Sequence, residues 1–403
     1  MPGQSWTLLV LFWGWEWLVQ WYQDGFQIEK NQARRSSGNI PGVALWDVYG
    51  KRLGEAFGSN DRIENGSPRD VFVPHFRGIG EPLAEYVAIS NGGIDAICIA
   101  WIAMAWNDAK YGWIGDVGQA CGSDWYYTQT LLKESGKDGK REHRPRCVWI
   151  DRDGSNGFNA QGFSMHIIDF DVSGNDRKTQ YQIYPETMCS RPRYHTYKHM
   201  VTQDGTYIFS PPLEYGPGLV DKDIKKVLVP GKPTSEKSLP LMVRDNFHGA
   251  PGRPRLTRRA LERRSKFMRD VLVVSGWPQH KAEELCKSET SVGPDFASLS
   301  DKLFCDMEHK ELWPLCTNGT ITNACFDVST KTMRGGGIGA RDLISGRAIP
   351  EKSYSKIRVE TMRLLRTLIL YSSSIVPKYT FLASGLTVLI ANISQLRAEY
   401  CRA

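Results

Sequence analysis

His166, Asp169 and Asp171 stand within six residues of one another, and this is where the chain comes nearest to acid–base chemistry. An imidazole titrates near neutrality, and a pair of carboxyl groups flanking a glycosidic bond supplies the acid and the base or nucleophile of hydrolysis. Asp116, Asp124 and Asp151 lie on segments that a sheet would bring alongside. Such chemistry needs two carboxyl groups about 5–9.5 Å apart, a separation that spacing along the chain does not impose. A strand-end histidine beside solvated aspartates accounts for the same residues. His166, Asp169 and Asp116 are the catalytic candidates of a glycosidase-like hydrolase, a reading placed second to a binding role.

The aromatic residues suggest that binding role. Trp101, Trp106, Trp113, Trp125 and Trp149, with Tyr111, Tyr126 and Tyr127, fall within 49 residues. Flat rings stack on sugar faces at little entropic cost, and they fill cores equally well. Strand alternation puts Trp101 and Trp106 on opposite faces, which assigns most of these rings to a core. Trp113, Tyr126 and Tyr127, beside glycine-rich turns, are the candidates for contact with extracellular carbohydrate or a host or cell-surface protein.

Other motifs carry less. Asp151-Arg152-Asp153-Gly154-Ser155-Asn156-Gly157 superficially resembles a calcium loop, but its sixth position is Asn156 and its twelfth Gly162, where an EF-hand requires Gly and a bidentate Glu. It is read as an Asp/Asn/Gly turn, and no metal or cofactor is expected. The glycines of 335–339 lack the order of a phosphate loop. No Cys-x-x-Cys, His-Glu-x-x-His or Gly-x-Ser-x-Gly occurs. Residues 221–269 hold fourteen basic and five acidic residues, more positive than the net charge of +7 for the whole chain. Within Arg253–Arg269 no aromatic residue interleaves with the cations before Phe267, so no specific nucleic-acid partner is expected. Arg258-Arg259 and Arg263-Arg264 are paired basic residues, where cleavage after Arg259 or Arg264 would process a precursor.

Eight of the nine cysteines form two blocks, Cys98, Cys121, Cys147 and Cys189, then Cys286, Cys305, Cys316 and Cys325. Even sets of this kind point to disulfides and an oxidising compartment. The apolar run Trp6–Trp15 has the length of a signal-peptide core, giving a signal peptide at 1–21 and a secreted, extracellular protein. Asn318-Gly319-Thr320 is a glycosylation sequon. Beyond 358 the chain is apolar and broken by Ser372-Ser373-Ser374 and Pro377, so a membrane is a partner only if this tail is an anchor.

The elements that must position these residues are short strands. Tyr86–Ser90, Ile97–Trp106, Trp125–Leu132, Cys147–Asp151, Phe163–Phe170, Gln180–Tyr184, Tyr194–His199 and Tyr207–Phe209 alternate or run apolar between turn residues. This pattern predicts a mainly β protein: a disulfide-bonded β-sandwich or jelly-roll-like domain at 81–215, after a poorly ordered lead-in at 22–80. A basic Pro/Gly-rich linker at 216–270, with a short basic helix over Leu256–Leu272, leads to a small cystine-stapled α+β unit at 271–345. The remainder, 346–403, is an apolar tail. If Trp106 opposes Tyr111 across a hairpin, Cys98 falls beside position 119, which favours Cys98–Cys121 and leaves Cys147–Cys189. In the second block Cys316–Cys325 closes a short loop and Cys286–Cys305 remains.

Gly115-Asp116-Val117-Gly118-Gln119-Ala120-Cys121-Gly122, Trp125-Tyr126-Tyr127, Cys147-Val148-Trp149-Ile150-Asp151 and Phe304-Cys305-Asp306-Met307 resemble a family of uncharacterised secreted, cysteine-containing proteins of filamentous fungi. The resemblance spans roughly 81–357 and implies secretion and paired cysteines, with no activity attached. The chain departs from the family at both ends.

Overall fold

The structure, a computed structural model, describes residues 7–8, 38–63, 68–78, 83–106, 109–134, 141–158, 160–171, 175–189, 191–198, 206–222, 238–240, 268–316, 324–335, 341–342 and 346–360. Residues 1–360 form one compact unit, and they are mainly β. Among the described residues no helix is long and apolar enough to cross a membrane.

Strands Gly42–Trp46 (β1) and Tyr86–Ser90 (β3) have apolar residues on both faces and lie inside a sheet, with Arg52–Ala56 (β2) at its edge. With Gly162–His166 (β9) and Tyr194–Tyr197 (β10) they form an antiparallel sheet in the order β10-β9-β3-β1-β2. Residues 42–56, expected as a poorly ordered lead-in, are thus part of the core, because Val43, Leu45 and Leu53 bury their side chains there. Strand alternation sorts the sheet's residues. The row Val43–Ile89–Phe163 faces the largest apolar cluster, whereas Trp46, Tyr86 and His166 align on the opposite face.

Across the large cluster lie Ile97–Ile99 (β4), Trp125–Tyr127 (β7) and Arg146–Ile150 (β8), a three-stranded sheet in the order β7-β8-β4. The hairpin Trp101–Trp106 (β5) and Ala109–Ile114 (β6) adds Ile102, Met104 and Trp113 to the same core. The expected continuous strand Ile97–Trp106 is split at Ala100, whose carbonyl accepts the Gly115 amide.

That break overturns the disulfide pairing of the first block. The hairpin ladder pairs Trp106 with Ala109 and ends at Ile114 with Trp101, since Gly115 starts the helix Gly115–Ala120 (α1). Cys121 is therefore carried away from Cys98. Cys98 lies opposite Trp149 and bonds to Cys147, and Cys121 bonds to Cys189, with Cα separations of 5.2 and 5.0 Å. In the second block the bonds are Cys286–Cys305 and Cys316–Cys325. Gln180–Tyr184, expected as a strand, is largely the end of helix Asn175–Ile183 (α2).

The C-terminal sheet is mixed. Val271–Ser275 (β11) runs parallel to Asp295–Ser298 (β12) through the helix Ala282–Lys287 (α3), and parallel to Lys356–Glu360 (β15) on its other side. Leu303–Asp306 (β13) and Glu311–Pro314 (β14) extend it antiparallel, in the order β14-β13-β12-β11-β15. Two boundaries move. The expected basic helix over Leu256–Leu272 gives way at its end to β11, and the expected tail from 346 contains the sheet strand β15 at Lys356–Glu360. Asp221, expected in the linker, is buried among the sheet residues of the N-terminal half.

Candidate functional site

His166 closes β9, and the short 3-10 turn that follows brings Asp169 back to it. His166 Nδ1 lies 2.8 Å from Asp169 Oδ2, and its Nε2 lies 3.0 Å from Glu85 Oε1. Arg193 Nε stands 3.3 Å from Asp169 Oδ2, while its other arm pairs with Asp221. Tyr181 on α2 donates to Asp169 Oδ1. Gln180 holds the backbone of Asp221 from both sides, at 2.8 and 3.0 Å. His166 and Arg193 are fully buried.

The electrostatics follow from that geometry. Burial opposes a charged His166, but the Asp169 and Glu85 carboxylates outweigh it and raise its pKa. Burial alone would raise Asp169 as well; His166 and Arg193 instead hold it at about 2. Each imidazole nitrogen therefore donates to a carboxylate, and no ring lone pair is left to accept a proton. A general base needs such a lone pair within reach of substrate. His166 and Asp169, three residues apart in the chain, are hydrogen-bonded neighbours. Glu85, Tyr181, Arg193 and Asp221, drawn from four separate segments, left no local signal. Asp116 is elsewhere: on α1 it accepts from Arg146 at 2.7 Å and pairs with His143 at 3.0 Å.

The aromatic candidates are also interior. Trp113 is fully buried and stacks on Phe163 with ring centres 4.8 Å apart. Tyr126 and Tyr127 are 6% exposed and belong to a cluster shared with Val273, Leu285 and Phe296 of the C-terminal sheet and helix. Their hydroxyl groups donate to Pro294 O at 2.9 Å and to Glu284 Oε2 at 2.6 Å. Trp125 and Trp149 use their indole N–H groups on Ser288 and on Val292 O. Trp113 packs within the N-terminal core, and Trp125, Tyr126, Tyr127 and Trp149 join the two halves of the chain; none offers an open ligand face, which corrects the binding assignment of Trp113, Tyr126 and Tyr127. Asn318, Arg259 and Arg264 lie outside the described residues, as does nearly all of 1–21.

The loops at one end of the two N-terminal sheets do present a surface. The chain after β2, residues 91–96 after β3, and residues 151–158 after β8 pack on one another. Gly58 and Gly92 make this possible, because a Cβ on Gly92 would stand 1.9 Å from Ile40 O and 2.7 Å from Gly58 Cα. Buried amides fix the loops. Asn39 bonds Asn60 O and the Asp95 amide at 2.9 and 2.8 Å, and Asn91 bonds Asp95 O and Ile150 O at 2.8 and 3.1 Å. Asn156 accepts the Ala96 amide at 3.0 Å, and Arg152 donates to Gly92 O at 3.1 Å. On this rigid base Phe57 and Ile94 are 74% and 65% exposed.

No family model, curated protein or solved structure matches this chain.

Proposed function

We propose that this is a secreted, disulfide-bonded, non-catalytic binding protein that contacts extracellular carbohydrate through the end of the fold built from residues 57–58, the strand Ser59–Ile63 and the loops 91–96 and 151–156. The observation that supports this most is the exposure of Phe57 and Ile94 on loops locked by buried amide and glycine contacts. An exposed aromatic ring on a preorganised loop loses little entropy when a sugar face stacks on it. Four disulfides favour an extracellular setting, and the resemblance to secreted fungal proteins points the same way. The glycosidase reading loses ground because His166 and Asp169 are sealed and fully engaged. A glycan array probed with the purified chain tests the proposal. Binding by the wild type and loss of signal in Phe57→Ala are expected; a folded wild type silent on every glycan rejects carbohydrate as the ligand.

A further inference from the structure

Asp295 opens β12 and Asp306 closes β13, one step beyond the ladder pair of Phe296 with Cys305. Two like charges side by side at this end of the sheet repel one another unless a cation stands between them. Lys352, from the segment that leads into β15, is that cation. Its Nζ lies 2.9 Å from Asp295 Oδ2 and 2.8 Å from Asp306 Oδ1. Water is nearly shut out, since the side chains of Lys352, Asp295 and Asp306 are 9%, 7% and 0% exposed. The remaining contacts treat the two carboxyl groups differently. Asp295 Oδ1 accepts the Met307 amide at 2.8 Å, and the Tyr354 hydroxyl donates to Oδ2 at 2.7 Å. Asp306 Oδ1 accepts the Glu308 and His309 amides at 3.0 and 3.4 Å, and its Oδ2 meets His309 Nδ1 at 2.9 Å. Burial, with Asp306 beside it, raises the pKa of Asp295. Burial acts on Asp306 too, but Lys352 and His309 outweigh it and lower its pKa.

We propose that Lys352 and Asp295 condense into an isopeptide bond, with Asp306 as the proton carrier. An amine, an acyl group and a base held together in a site without water are what nucleophilic amide formation requires. The Lys352 ammonium first passes a proton to Asp306 Oδ1 along their 2.8 Å contact, which frees the lone pair on Nζ. Attack needs the reacting atoms about 3–3.5 Å apart, and an amine already in contact with Oδ2 has only to slip along the carboxyl group to meet Cγ. As the Nζ–Cγ bond forms, charge builds on Oδ1, where the Met307 N–H already points. The Cγ–Oδ2 bond then breaks. Oδ2 leaves as water with the proton held by Asp306 and one from the attacking nitrogen, and Asp306 is a carboxylate again. Nothing is oxidised or reduced, and no co-reactant is consumed. Burial favours the neutral amine, but the two carboxylates outweigh it and raise the Lys352 pKa, so the reaction waits on transfer to Asp306. The bond would tie the approach to edge strand β15 onto β12, where none of the four disulfides reaches. It does not depend on the loop end binding sugar.

The test is intact-mass analysis and tryptic mapping of the purified full chain, folded at neutral pH and then reduced and alkylated. The wild type is expected to be one water lighter than its sequence requires. Trypsin should fail to cut after Lys352, and a branched peptide should join Lys352 to Asp295. Lys352→Arg keeps the positive charge but has no amine to condense, and it is expected at full mass with cleavage after position 352. Asp306→Asn removes the proton carrier and is expected to lose the bond, whereas Asp306→Glu keeps a carboxylate and is expected to retain it. The wild-type map alone decides whether the bond exists, whatever the variants do to folding. A wild type at full mass and cut after Lys352 reduces the site to a buried ion pair and overturns the proposal. A branch at Asp306 in place of Asp295, or a bond kept by Asp306→Asn, overturns the assigned roles.

Discussion

Arg193 answers two buried carboxylates at once, Asp169 and Asp221, and each of the three side chains is wholly inside. Removing one partner of a buried pair strands the other charge, a loss of about 3–5 kcal/mol. Arg193→Met is therefore expected to be strongly destabilised in urea unfolding, and a loss below about 1 kcal/mol would contradict this arrangement. His166 makes the same network sensitive to pH. Its folded pKa is raised by Asp169 and Glu85, so its contribution is complete below about 6.5, the unfolded value, and is lost as pH rises through the folded one. Asp169, held at about 2, contributes above its unfolded value near 3.9 and loses that contribution as acid approaches the folded one. Between pH 6.5 and 9, Tm of the wild type is expected to fall more steeply than that of His166→Gln. Parallel slopes would show that His166 is not the group responsible.

Among the elements, the loop end is the most demanding of residue type. Gly92 meets Ile40 O, Gly58 Cα and the Ser59 amide, all backbone, and backbone cannot swing aside as a flexible side chain would. Gly92→Ala is expected to cost about 1–3 kcal/mol by overpacking and to weaken glycan binding, since the packed loops must move apart. Unchanged stability would mean that the loops are looser than their contacts imply. Much of the element pattern was legible in the chain: Tyr86–Ser90 and Tyr194–Tyr197 follow from alternation and turn residues. The Cys98–Cys121 pairing failed because it extended a strand ladder through Ala100 and Gly115, where the chain turns into α1. Gln180–Tyr184 looked like a strand because Tyr181 and Ile183 alternate with polar residues, yet Arg177 and Gln180 are the buried side of that helix.

At the scale of the whole molecule, no disulfide crosses from the first block to the second. The halves are joined instead by a shared core and by polar contacts. Arg146 bonds Glu284 at 2.8 and 3.0 Å, Tyr127 stacks on His280 with ring centres 4.5 Å apart, and Gln129 bonds Glu360 at 3.2 Å. Cleavage after Arg259 or Arg264 is therefore expected to leave the two pieces associated on native size exclusion. They would separate in denaturing gels without reductant, and separation under native conditions would overturn the shared core.

The sequence by itself determined that this protein is mainly β, that eight cysteines fall in two self-contained sets, and where many strands lie. These are local matters, set by side-chain period, turn chemistry and the count of thiols. Only the tertiary structure decided that residues 42–56 belong to the central sheet, that Trp113, Tyr126 and Tyr127 are interior, and that His166 is locked between carboxylates. Each of these depends on groups distant in the chain competing for the same interior space, and burial, unlike periodicity, is a property that no single segment carries.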